Sequence, residues 1–146
     1  MYERYVGIEL SKINNIMKRN YRKLDEINDS DDELTGKNGW IIGYIAENKD
    51  KEIFEKDIEN YFVIRRSTVS GILKLMEKKG YIIREGVSYD ARLKKLTLTE
   101  KAWDYVSKTM EKVDEHEEKL RSGLSDEELD AFLRTLDKIK HNLGQG

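Results

Sequence analysis

Between residues 67 and 99 the spacing of apolar side chains switches from helical to alternating, and that switch limits the folds open to this chain. Val69, Ile72, Leu73 and Met76 recur at three- and four-residue intervals, as on one buried face of a helix. Gly80 follows the basic last turn Lys78-Lys79, where a left-handed residue would close a helix. Tyr81-Ile82-Ile83-Arg84-Glu85 then reads as a strand, residues 86–93 as a polar loop, and Lys94 to Thr99 as a second strand with Leu96 and Leu98 on one face. The expected unit is a helix over Ser67–Lys79 followed by a β-hairpin.

Helical patterns surround this unit, and the absence of proline suits them. Residues 3–28 carry Val6, Ile13, Ile16, Met17, Leu24 and Ile27, and the run Asn28–Glu33 should end that helix. Thr35 can cap a second helix bearing Trp40, Ile41, Tyr44 and Ile45. Ile53-Phe54 reads as extended, and a brief helix over Glu55–Phe62 should turn Ile58, Tyr61 and Phe62 inward. The four residues Val63-Ile64-Arg65-Arg66 connect it to the 67–79 helix. A long helix is expected over Glu100–Arg121, and Ser125 with Glu128 forms a capping box before the last helix.

Charge is unevenly placed. Residues 63–101 hold ten Lys or Arg against four acids, residues 1–62 ten against fourteen, and residues 102–146 seven against eleven. A basic block in a chain of net charge −2 points to a localised polyanion, most often DNA. Cysteine is absent, which excludes disulfides, thiolate metal sites and thiol-based oxidant sensing. No apolar run is long enough to span a membrane, and Met1–Lys12 has no signal-peptide core, so a cytoplasmic protein is expected.

Short helix, tight turn, second helix and hairpin, in that order, describe a winged helix-turn-helix. The second helix would enter the major groove with Arg65, Arg66, Ser67, Thr68, Ser70, Gly71 and Lys74 near base edges and backbone. Ser67 or Thr68 can alternatively serve as the N-cap. Gly71 costs about 1 kcal/mol of helix propensity, a cost that close approach of the backbone to DNA would offset. In the hairpin, Arg84, Ser88, Asp90, Arg92, Lys94 and Lys95 are the candidate contacts. Arg92 would enter the minor groove, with Asp90 holding its guanidinium through a charge-assisted pair, while Arg84, Lys94 and Lys95 would serve phosphates.

At these residues the chain resembles the MarR family of bacterial transcriptional regulators. The resemblance lies in Ser67-Thr68-Val69-Ser70, Met76-Glu77-Lys78-Lys79-Gly80, Arg84, Asp90-Ala91-Arg92 and Leu98-Thr99-Glu100-Lys101-Ala102. Met76 and Ala102 stand where the family usually has Leu and Gly. The resemblance implies a homodimer on a pseudo-palindromic operator, acting as a repressor. It also implies a small amphipathic, often phenolic, effector bound between the dimer region and the DNA-binding lobe. The fold class expected is mainly α with a small β-hairpin wing. The N-terminal dimerisation helix would occupy 1–34, the winged lobe 35–99, and the connecting and C-terminal dimerisation helices 100–146, in one interlocked domain.

The residues themselves agree on a dimer. Ile13, Met17, Leu129, Phe132, Leu133, Leu136 and Ile139 form stripes larger than one lobe can cover. Trp40, Tyr44, Tyr61 and Trp103 are candidates for an effector pocket, although aromatics at helical spacing also serve as core. His116, within Asp114-Glu115-His116-Glu117-Glu118, is read as solvated, and neither metal nor cofactor is expected. No catalytic cluster or Gly-rich phosphate loop is present, so an enzyme is not expected. The rival reading is a winged-helix protein–protein module that does not bind DNA. Such a module would lack the wing cations Arg92, Lys94 and Lys95.

Overall fold

The computed structural model describes residues 2–27 and 36–144, with the backbone alone for 22–27, 36 and 37. Among the described residues eight elements follow in order: α1 (Val6–Ile27), α2 (Gly36–Glu47), α3 (Glu55–Phe62), α4 (Arg66–Lys78), β1 (Ile82–Val87), β2 (Asp90–Leu98), α5 (Glu100–Arg121) and α6 (Asp126–Asn142). The fold is the expected one, mostly helical with one antiparallel hairpin. The 28–33 stop, the Thr35 cap and the 34/35 boundary lie outside the described residues.

One core holds α2 to α5 together. Val69, Leu73 and Met76 on α4 pack with Ile41, Ile42 and Ile45 on α2, Ile58 on α3, Tyr81, Ile82, Leu96 and Leu98 of the hairpin, and Ala102 on α5. Ile42, which the helical spacing did not single out, is fully buried there, whereas Trp40 is half-exposed. Tyr61 was expected inward but points outward at 65% exposure, with Ile58 buried one turn before it.

The ends of α4 and α5 are tied to each other. Gly80 adopts φ 83°, the left-handed conformation its position required. Thr99 caps α5, its Oγ1 accepting from the Ala102 N–H at 3.3 Å and donating to the Gly80 carbonyl at 2.6 Å. The Ser125–Glu128 capping box is present at the start of α6, with bonds of 3.1 and 2.9 Å.

The hairpin differs from expectation in length. Its strands run to a two-residue turn at Ser88-Tyr89, where an eight-residue loop over 86–93 was expected. Pairing jumps from Gly86↔Lys94 to Val87↔Asp90, leaving Ala91, Arg92 and Leu93 without partners in a bulge. The bulge resets the alternation of side chains, so residues 86–93 show no two-residue apolar period. A third segment joins the hairpin edge: Phe54 bridges Lys95, and the Leu96 N–H donates to the Ile53 carbonyl at 2.7 Å.

α1 and α6 are built differently from this lobe. α6 buries no residue, and Phe132 and Leu133 are each about half exposed. Leu129, Leu136 and Ile139 are partly covered. On α1, Ile13 is half exposed and Met17 partly covered.

Candidate nucleic-acid interface

The turn between α3 and α4 is made by Val63, at φ 52° and ψ 50°. A β-branched residue in this region costs about 1–2 kcal/mol, which the helices on either side must offset. Arg65 then sits in extended geometry as the N-cap, its carbonyl accepting from the Val69 N–H at 3.0 Å. No side chain caps α4, so neither Ser67 nor Thr68 takes the capping role. Both are exposed in the first turn with Arg65 and Arg66, and Lys74 is exposed two turns on. A Cβ added at Gly71 would meet nothing within 4 Å, so the fold itself does not require glycine there.

Ser70 is placed differently from its neighbours. Its hydroxyl donates to a Glu55 carboxylate oxygen on α3, across the helix-turn-helix. Glu55 also lies 3.5 Å from Nη1 of Arg84, whose Nε lies 3.6 Å from Glu77 of α4. The Arg84 side chain is only 23% exposed. Expected at phosphates, Arg84 instead lies inside the lobe between two carboxylates. Lys95, also expected at phosphates, has its ammonium 3.6 Å from Glu85 of the facing strand.

Arg92 is carried outward on the β2 bulge. Its Nη2 and Nε reach the two oxygens of Asp90 at 3.1 and 3.2 Å, and its backbone N–H donates to Asp90 at 2.9 Å. The side chain remains 89% exposed, so the tether orients the guanidinium without hiding it. The Arg92 side chain first, and its backbone N–H second, hold the Asp90 carboxyl below the usual carboxylate range. Ser88 is exposed in the turn. Its neighbour Tyr89 donates to Glu52, a contact that sequence spacing gave no sign of and that pushes the phenol pKa up.

A separate cavity of about 550 Å³ opens between α1, α2, α3 and α5, lined by Tyr21, Trp40, Tyr44, Tyr61, Tyr105 and His116 among others. Three of the four expected pocket aromatics line it. Trp103 does not, since it sits in the first turn of α5 beside Ile45, Leu98 and the 48–52 segment. The His116 ring instead packs on Tyr21, centroids 4.8 Å apart. Among the described residues no group of three His, Asp or Glu is placed to hold a metal ion.

A MarR-family model matches residues 33–93. The chain is 30% identical to the transcription regulator MarR from Oenococcus oeni PSU-1, covering 93% of this chain and 98% of that one, with a TM-score of 0.82. It belongs to the MarR family. Two further similar structures are S. aureus MepR in complex with DNA (26% identity, 98% and 99% covered, TM-score 0.84) and S. aureus MepR in its DNA-binding conformation (27%, 94% and 97%, 0.80). As a MarR-type protein the chain is a transcriptional regulator with a winged-helix DNA-binding fold, and not an enzyme. No helix among the described residues is long and apolar enough to cross a membrane.

Proposed function

We propose that this MarR-type regulator binds a pseudo-palindromic operator as a homodimer, represses by occupying it, and acts in the cytoplasm. The observation that carries the reading is the Asp90–Arg92 tether on the bulge, beside the exposed opening turn of α4. A guanidinium fixed before binding loses less side-chain entropy on entering a narrow minor groove. Arg65, Arg66, Ser67, Thr68, Gly71 and Lys74 would lie at the major groove, and Lys94 at phosphate. Ser70 would act through Glu55, keeping α4 at its angle to α3. The uncovered stripes on α1 and α6 support the dimer, which would set two reading helices about 34 Å apart.

The aromatic cavity supports an effector of amphipathic or phenolic character. Such a molecule changes operator affinity only by binding one spacing of the reading helices better than the other. The test is selection of bound duplexes from a random pool, followed by titration of the selected site with Arg92→Ala. A palindromic site and a loss of about 1–3 kcal/mol are expected. Unchanged affinity and salt dependence in that variant would remove the role given to the wing.

A further inference from the structure

Among the described residues four positions hold a left-handed backbone, and three of them are glycines just past helix ends: Gly80 after α4, Gly123 after α5 and Gly144 after α6. The fourth is Val63, which closes α3 at the turn into α4. Glycine holds this conformation without a Cβ penalty, and helix-turn-helix turns often contain it. Val63 does not recover its cost by burial, because its side chain is 53% exposed. The backbone on either side holds it instead. Its own N–H and that of Ile64 both donate to the Glu59 carbonyl, the latter at 3.1 Å, and Ile64 packs against the core. A conformation kept by its surroundings relaxes when they shift. The turn before Val63 also borders the aromatic cavity. Tyr61 and Phe62, the last residues of α3, line it with Tyr44 of α2. Ring centroids are 4.4 Å apart for Tyr44–Tyr61, 4.9 Å for Tyr61–Phe62 and 5.8 Å for Tyr44–Phe62. The strained residue thus stands directly between the cavity wall and the start of α4, whose N-cap is Arg65.

We propose that Val63 is a strained joint through which the wall of the aromatic cavity sets the angle of α4. With Val63 left-handed, α4 stands at the angle observed. When Val63 relaxes into the right-handed region, α3 gains a residue and α4 is turned away from that angle. The Tyr44–Tyr61–Phe62 cluster holds the first setting by fixing the last turn of α3, and an occupant of the cavity that parts these rings favours the second. Joints of this kind are a few residues at element ends that absorb a change in φ and ψ. The inference rests on the DNA-binding and effector readings above, and adds the residue at which the cavity and the reading helix meet.

The experiment is relaxation-dispersion NMR on the full chain without DNA, read at the amides of residues 64–68, for the native protein, Val63→Gly, Tyr61→Ala and the double variant. Each protein is then titrated with the selected operator. Val63 and Tyr61 are both exposed, so the variants should fold, which thermal melting checks. The native chain should show microsecond-to-millisecond exchange with a minor state of roughly 0.1–10%. Val63→Gly favours the left-handed turn over the right-handed one. It should flatten the dispersion and leave operator affinity within about two-fold of native. Tyr61→Ala should raise the minor population and weaken operator binding in proportion to the competent fraction lost. The double variant should behave as Val63→Gly alone, because a joint without strain does not respond to the wall. Flat dispersion in the native chain, or unchanged dispersion in Val63→Gly, overturns the joint. A Tyr61→Ala profile equal to native, or a double variant that binds as weakly as Tyr61→Ala, overturns its link to the cavity. A native protein that shows the exchange yet retains no duplex even at low salt would overturn the DNA-binding reading and leave the joint standing.

Discussion

The lobe from α2 to β2 and the two terminal helices put similar apolar residue types to opposite uses. All buried side chains among the described residues lie between Ile41 and Ala102, and none lies on α6 or on the described part of α1. The lobe therefore carries its own core, and the geometry of its helix-turn-helix and hairpin is held by internal contacts such as Glu55–Ser70 and Thr99–Gly80. The terminal helices keep Ile13, Phe132 and Leu133 about half exposed. A stripe of that kind is stable in water when a second surface covers it. On the homodimer proposed above, the difference would assign shape recognition to one region and spacing between two copies to the other.

Substitutions matched across the two regions would break or sharpen this division. Phe132→Asp with Leu133→Asp should have the largest effect. In a symmetric interface each change counts twice, so the dimer should weaken by about 4 kcal/mol or more, roughly a thousand-fold. Sedimentation should then show monomers whose far-ultraviolet spectrum retains the lobe. Leu73→Ala should cost about 2–5 kcal/mol of stability at every protein concentration, because its cavity lies inside one chain. Melting temperatures that rise with concentration for the native chain and Leu73→Ala, and not for the monomeric α6 variant, would establish the division. The reverse pattern would refute it.

Smaller effects separate folding from reading within the lobe. Gly71→Ala has open space for its methyl group and should raise stability by about 1 kcal/mol through helix propensity. Operator affinity should fall if the backbone at residue 71 approaches DNA. A variant both more stable and equally tight would show that glycine serves no contact there.

The smallest effect concerns acid. The Asp90 pKa is lowered in the folded chain, so the contribution of its tether is present above the ordinary carboxylate range and is lost as pH falls through the lowered value. A carboxyl titration followed by NMR should place Asp90 below the ordinary carboxylate range, and Arg92→Ala should return it towards that range. Around neutral pH neither stability nor wing geometry should respond to this group.

The parts of the fold legible from sequence are those written in local spacing. The switch of period around Gly80, the Ser125–Glu128 box and the apolar face of α4 needed only a few neighbouring residues. Arg84 and Ser70 could not be placed that way, because the Glu55 they share is 29 and 15 positions away. An arginine on β1 between the basic end of α4 and the basic residues of β2 reads as a phosphate contact until the folded chain brings carboxylates to it. The wing loop was expected too long because a bulge leaves no alternation to detect. Trp103 shares a helical face with Met110, yet seven residues of helix separate them by roughly 10 Å. A face does not specify a position along the axis, and the aromatic cavity begins beyond the first turn of α5.

The most direct measurement is the stoichiometry of the complex between the full chain and its selected operator, by native mass spectrometry or analytical ultracentrifugation at moderate salt. Two chains on one duplex, with both half-sites protected about one helical turn apart, are predicted. A single chain per duplex, or no complex at low ionic strength, would contradict the account.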